Sequence, residues 1–380
     1  MLDITYLSGE KVESLSADEV DAIAEASTSL VEGLKKHLVP VVGHTRFCQR
    51  LLHRGALLET GSSLQLPCML QLIICGFCTT TDEMLRELRD ACTRSDAGAV
   101  ERCLEKPQDP SAQDAQGFTV LHHAASAGSV QCVALLLEAR ADQDMASTNG
   151  AATPLCLAAN SGQFEVVELL LHLRADKDKA MLSGATPLLI AAQGSQLEIV
   201  RLLLHKRADM DMTLTCGATP LLAAAHGGDV EVVRLLLEER TDRNRAVTPV
   251  APLPIAAESG HLEVVKLLLR EGAHMDDTLA ANATALYQAA HNGHVEVTRL
   301  LLHQGCHGKG SPAVGAVALS AAVQSGHVEV ARALIREGVA VPLRLIPIAL
   351  LHGHQEVAKL LFREAASQTC SCLPSLSVWW

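Results

Sequence analysis

The chain has 380 residues and carries 43 acidic against 31 basic side chains, a formal net charge of −12. This balance argues against a general nucleic-acid binder, because no basic field exists to neutralise phosphates. Aromatic residues make up only 2% of the chain, too few for an ordinary packed core but enough for a solenoid of Leu, Val and Ala helices.

The opening MLDITYLSGE has an early Asp and no long apolar run, unlike a secretory signal. No stretch reaches the roughly 18 uninterrupted apolar residues of a membrane helix. The 12 cysteines show no disulfide-scaffold spacing, so reduced thiols in the cytoplasm, or in the nucleus, are expected.

In residues 1–16, Leu2, Ile4 and Tyr6 alternate with polar residues and Ser8-Gly9 marks a turn, which predicts a β-hairpin. Thr28 or Ser29 is placed to cap a helix whose Val31, Leu34 and Leu38 share one face. Then come TRFCQRLLHRGALLETGSSL and the alternating CMLQLIICGF. The order hairpin, helix, strand, turn, strand over residues 1–80 resembles a ubiquitin-like β-grasp domain. The run Gln49-Arg50-Leu51-Leu52-His53-Arg54-Gly55, then Leu58-Glu59 and Leu64, carries the resemblance. The segment Asp18–Ser27 is longer than that family's, and no Gly-Gly terminus lies near Cys78, so a built-in domain is implied rather than a conjugated modifier. The resemblance places the family's receptor-binding patch at Leu7, Leu52, Gln71 and Ile73, with Gln71 where the family carries His. The same residues could instead decorate the sheet or pack on the first repeat.

Residues 82–116 form a degenerate helix pair, with Leu85, Leu88, Ala91 and Cys92 in the first helix and Val100, Cys103 and Leu104 in the second, capped by Asp96. Seven units succeed it at a period near 33, beginning near Gly117, Gly150, Gly184, Gly217, Val250, Ala283 and Ala316. Residues 184–216 show the logic of one unit. Thr186 is an N-cap and Pro187 sits at the first helical position. After them come a thin Ala-rich helix, a turn at Gly194-Ser195, a helix with Ile199, Val200 and Leu202–Leu204 on one face, and a polar tail. Such a pair cannot bury its own face and must stack on copies of itself. A unit at 343–366 keeps GHQEVAKLLF without T-P-L and reads as a C-terminal cap; 367–380 is expected to be disordered. These fixed-offset motifs resemble the ankyrin repeat. The fold class is therefore an all-α ankyrin solenoid preceded by a small α+β ubiquitin-like domain.

Pro254 and Pro347 fall within the first turn of their helices, where the missing N–H has no intrahelical partner. At the helix end where the family prefers Gly, Arg140, Arg174, Arg207 and Arg240 stand instead, while Gly272, Gly305 and Gly338 keep it. A non-Gly residue in the left-handed conformation costs roughly 1 kcal/mol, so those helices are either weaker or end differently.

Chemistry-bearing patterns are few. Cys75-Gly76-Phe77-Cys78, with Cys68 and His53 nearby, lacks a second pair at zinc spacing and a thioredoxin-like context. His261, His294, His327 and His354 each come after Gly and before a second helix, where the family's His bonds backbone, and His122-His123 is likewise structural. Gly308-Lys309-Gly310-Ser311 lacks the phosphate-loop spacing. No catalytic constellation, cofactor site or metal site is expected.

Surface remains. The residues just after each Ala-Ala pair, Ser126, Asn160, Gln193, His226, Glu258, His291 and Gln324, are expected to form a polar column on the concave side. Hairpin tips add Met145, Lys177, Met210, Arg243 and Met275, with Asp144, Lys179, Met212, Arg245 and Asp276 beside them. The expected function is a monomeric, non-catalytic scaffold that holds a protein partner, with the N-terminal domain as a link to ubiquitin-pathway receptors. A regulatory subunit of an enzyme and a plain structural adaptor stay open.

Overall fold

The structure is a computed structural model. It describes all residues except 9, 28, 60–61, 63, 65, 67, 76–79, 107, 243–251, 272–284, 304–311 and 371–380. The chain divides into two compact units, 1–187 and 188–380.

The first unit opens with β1 (Leu2–Tyr6) and β2 (Lys11–Leu15), the expected hairpin. Helix α1 (Ala17–Glu25) comes next, with a complete capping box between Ser16 and Glu19. It occupies the segment that looked too long for the family. Ser29 caps α2 (Leu30–Val42) by accepting the Glu32 N–H, and Gly43 ends it in the left-handed conformation. A single 3₁₀ turn, Arg46–Cys48, leads into β3 (Gln49–His53), β4 (Ala56–Leu57) and β5 (Cys68–Ile74). The sheet order is β2-β1-β5-β3-β4, with β1 and β5 parallel and the other pairs antiparallel. Leu2, Ile4, Leu51, Leu70 and Leu72 project from one face of the sheet onto Val31, Leu34 and Leu38 of α2. A mixed sheet wrapped on one helix is the ubiquitin-like β-grasp arrangement.

Three helix pairs complete this unit: α3 (Asp82–Thr93) with α4 (Ala97–Leu104), α5 (Val120–Ala127) with α6 (Val130–Glu138), and α7 (Pro154–Asn160) with α8 (Phe164–His172). The second unit continues with α9 (Pro187–Gln193) and α10 (Leu197–His205), then α11 (Pro220–Gly227) and α12 (Val230–Asp242). Next are α13 (Pro252–Glu258) with α14 (Leu262–Arg270), and α15 (Ala285–His291) with α16 (Val295–His303). The last are α17 (Pro312–Ser325) with α18 (Val328–Arg336), and α19 (Leu345–Leu351) with α20 (Gln355–Cys370). Helix α20 runs four residues into the segment read as tail, and the rest of that segment lies outside the described residues.

The first helices α5, α7, α13 and α15 are thin because small alanines occupy their fully buried centres: Ala124 and Ala125, Ala158 and Ala159, Ala256 and Ala257, Ala289 and Ala290. A larger side chain there would hold neighbouring helices apart. Pro254 lies in the first turn of α13 and Pro347 in that of α19, and both helices persist.

The arginines at the helix ends behave in two ways. Arg140, Arg174 and Arg207 adopt left-handed φ values of 66°, 66° and 61°, whereas Gly338 takes the same place at 89°. Helix α12 instead continues through Arg240 to Asp242. Gly272 and Gly305 lie outside the described residues. Because a Cβ is disfavoured at positive φ, Arg207→Gly is expected to stabilise the chain by about 0.5–1 kcal/mol. A thermal-denaturation midpoint at or below that of the parent would contradict this.

Candidate interaction surfaces

The Gly-His turns hold successive repeats together. His261 Nε2 donates to the His226 carbonyl (2.9 Å), His294 to Glu258 (2.8 Å), His327 to His291 (2.9 Å) and His354 to Gln324 (2.9 Å). In the first unit Gln163 Nε2 does the same for the Ser126 carbonyl at 3.3 Å. Each rung satisfies an otherwise unpaired carbonyl at the end of a first helix. The glycine beneath each ring is required twice over. Gly228, Gly260, Gly293 and Gly326 have φ near +80°, and a Cβ on Gly228 or Gly260 would lie 2.4 Å from the Nδ1 of the next repeat's histidine.

The carbonyls that receive these bonds belong to the column residues, so the rungs also fix where those side chains start. In the first unit Asn160 is exposed and Ser126 half-buried, its hydroxyl 3.1 Å from that of Ser161. In the second unit Gln193, His226, Glu258, His291 and Gln324 are all exposed. His226 Nδ1 lies 3.1 Å from Ser259 Oγ and His291 Nδ1 lies 3.0 Å from Ser325 Oγ; both rings are thereby held with Nε2 free. Tyr287 stacks on the His291 ring at 5.9 Å.

Hairpin turns are built by repeated Asp-x-Asp segments. Asp142, Asp176 and Asp209 each accept the N–H two residues on, from Asp144, Asp178 and Asp211. In the first unit Asp144 also accepts the Asp176 N–H (2.9 Å), and Lys179 Nζ donates to the Asp144 carbonyl (2.7 Å). Lys179 is thus spent on linking two hairpins. Met145 and Lys177 are half-buried, and Lys177 pairs with Asp178 at 2.6 Å. Met210 departs from expectation: it is 2% exposed, because the Asp209–Asp211 turn folds it inward. It is not a tip contact. Arg243, Arg245, Met275 and Asp276 lie outside the described residues.

On the N-terminal domain the strand register sets Leu52 opposite Gln71, Gln71 opposite Thr5, and Arg50 opposite Ile73, all on the face away from α2. Leu52, Gln71 and Ile73 are half-buried, while Leu7 is well exposed, as are Met69 and Leu57. With Met1, the most exposed large apolar residues of this domain are Leu7, Met69 and Leu57, and the alternation along β5 could have signalled Met69.

The contact between this domain and the helix pairs turns on Arg46, which sequence reasoning missed. Its side chain is 7% exposed. Nε reaches Glu138 Oε1 of α6 at 2.6 Å and Nη2 reaches Oε2 at 3.3 Å, a two-pronged pairing. Nη1 reaches Glu101 of α4 at 2.7 Å and Glu32 of α2 at 3.2 Å. Burial pulls the guanidinium pKa down, but hydrogen bonds to Glu138 and Glu101 outweigh it and hold it above its ordinary value. The ring of Phe47 lies 4.4 Å beneath the guanidinium carbon. Arg140 donates to the Gly43 carbonyl at 2.6 Å and Arg50 to that of Glu105, so two more arginines cross the same boundary. A cleft of about 230 Å³ lies beside them, lined by Lys35, Arg50, Glu101, Arg102 and Glu105.

A sequence profile described as ankyrin repeats matches three times, over residues 88–181, 188–279 and 253–344. The chain belongs to the ankyrin-repeat family. No curated protein matches it. The ankyrin match covers the helix pairs from α3–α4 to α17–α18 and makes this a chain built for protein–protein interaction. No helix among the described residues is long and apolar enough to cross a membrane.

Other singled-out residues serve the ankyrin framework. His122 is fully buried; its Nδ1 accepts from the Thr119 N–H and its Nε2 donates to the Ala152 carbonyl at 2.8 Å. Burial holds its pKa below the ordinary value. His123 bonds Asp114 at 2.8 Å. Gly76, Phe77 and Cys78 of the C-x-x-C, and all of 308–311, lie outside the described residues. No group of three potential metal ligands occurs among the described residues, His53 and Cys68 included. Burial pushes the thiols of Cys92 and Cys156 up, whereas Cys216 is exposed. Native-state alkylation with mass-spectrometric readout is therefore expected to mark Cys216 well before Cys92 and Cys156, which react only on unfolding. Early labelling of Cys92 would contradict the packing of α3.

Proposed function

We propose that the protein is a non-catalytic scaffold that binds a protein segment along the ankyrin column and the adjoining hairpins. The column carries this reading: Asn160, Gln193, His226, Glu258, His291 and Gln324 are exposed and chemically varied, beside alanines of uniform burial. A surface that varies on an invariant frame suits selective recognition. The backbone bonding of the turn histidines supports a framework role rather than a catalytic one. The N-terminal domain would add a second contact through Leu7, Leu52, Gln71 and Ile73, linking the partner to ubiquitin-handling proteins. This clause rests on the resemblance of the fold. A monomer in the cytoplasm or nucleus is the working form.

The test uses full-length chains in affinity capture from lysate. Alanine at Gln193, His226, Glu258 and His291 together is expected to lose the main partners. Leu7→Asp with Leu52→Ala is expected to lose only ubiquitin-pathway proteins. Retention of every partner by the column variant would sink the proposal, and an unchanged set with the patch variant would sink the ubiquitin link.

A further inference from the structure

The cleft beside Arg46 holds cations that the chain leaves without a counter-ion. It measures about 230 Å³ and is lined from α2, the Arg46–Cys48 turn, β3 and α4. Arg46 takes up two of its carboxylates, Glu32 and Glu101. Arg50 donates to the backbone carbonyls of Phe47, Gln49 and Glu105, to no carboxylate, and keeps its remaining N–H donors. Lys35 and Arg102 make no hydrogen bond and no ion pair among the described residues. Lys35 is half-buried, and burial, then the charge of Arg50, lowers its pKa. The Glu105 carboxylate acts on Lys35 from a distance without pairing with it. Three cations with spare donors thus face one small cleft, in a chain whose net charge is −12.

Such a set of donors suits an acceptor with three oxygens on one centre. A carboxylate supplies two, whereas a phosphate monoester supplies three and carries more charge. Room for the ester's organic part adjoins the cleft. A hollow of about 400 Å³ shares Lys35, Arg50 and Glu105 with it and adds Leu57 and Leu58. Leu57 is 54% exposed there and offers apolar surface. We propose that the cleft between the β-grasp domain and the first helix pair binds a phosphate monoester, its phosphate on Lys35, Arg50 and Arg102 and its organic group against Leu57 and Leu58. None of these residues belongs to the ankyrin column, so the site stands whether or not the column holds a protein. The bound ester would tie α2 to α4 across the boundary that Arg46 already bridges.

The probe is phenyl phosphate, titrated into the purified full-length chain at low salt with calorimetric readout. Saturable one-to-one binding is expected, with benzoate, which keeps the ring but has one oxygen fewer to offer, weaker by about tenfold. Lys35→Met with Arg102→Gln is expected to weaken phenyl phosphate by about tenfold or more. Neither side chain is paired within the chain, so the circular dichroism of this variant should match the parent's. Arg201→Gln with Arg234→Gln removes as much charge from the second unit and is expected to leave the affinity unchanged. A phosphotyrosine peptide compared with phenyl phosphate separates the sources. Tighter binding of the peptide assigns the site to a phosphorylated protein segment, and equal or weaker binding assigns it to a free ester; both results support the phosphate site. Absence of saturable binding by phenyl phosphate would overturn the proposal. So would equal affinity for benzoate, an affinity that survives Lys35→Met with Arg102→Gln, or an equal loss in the Arg201 and Arg234 variant.

Discussion

Arg46→Met is expected to lower the stability of the N-terminal domain on its helical support by about 3 kcal/mol. Methionine fills most of the space but leaves Glu32, Glu101 and Glu138 facing one another without the cation that joins them. Removing one partner from a buried ion cluster exposes the whole desolvation penalty of the rest. The figure sits at the lower end of the usual range because Glu101 and Glu138 are 36% and 35% exposed and partly solvated. Denaturant unfolding monitored by circular dichroism should separate into an early β-grasp transition and a later helical one. A single transition at the parental midpoint would show that Arg46 does not join them. The swapped pair Arg46→Glu with Glu138→Arg should recover part of the loss that either change causes alone.

Gly260→Ala is expected to destabilise the second unit by about 2 kcal/mol. Roughly 1 kcal/mol comes from placing a Cβ at a φ of 79°. A further contribution of about 1 kcal/mol comes from the rung, because the new methyl lies 2.4 Å from His294 Nδ1 and drives the ring off the Glu258 carbonyl. Stability in a repeat array is close to a sum of unit and neighbour terms, so weakening one neighbour term should also broaden the thermal transition. A sharp transition within a degree of the parent would mean that the ring relocates without loss.

The repeats were legible because their logic is local. Thr-Pro at a helix start, the Gly-His turn and the Leu triplet each state a backbone requirement within a few residues. The period near 33 then repeats the statement until chance is no explanation. The β-grasp sheet was legible for a similar reason, since the alternation in Leu2-Ile4 and in Leu70-Leu72 marks one buried face. Helix α1 was harder to see because only its capping box, Ser16 to Glu19, signals a start within a segment of mixed character. Arg46 was illegible. Its partner Glu138 lies 92 residues away, and nothing in TRFCQR separates a surface arginine from one that binds three carboxylates. Met210 misled because tip and turn interior alternate within three residues, and only the Asp209–Asp211 turn decides which way the side chain faces.

The histidine rungs also decide which edge of each ring is spoken for. A carbonyl can only accept, so each of these rings must carry a proton on Nε2 and spend it on the repeat before it. The column histidines, His226 and His291, are wired the other way round: there it is Nδ1 that meets a serine hydroxyl of the next repeat, on an exposed ring. One residue type is thus used through one nitrogen as a fastener between repeats and through the other as a brace for a surface side chain.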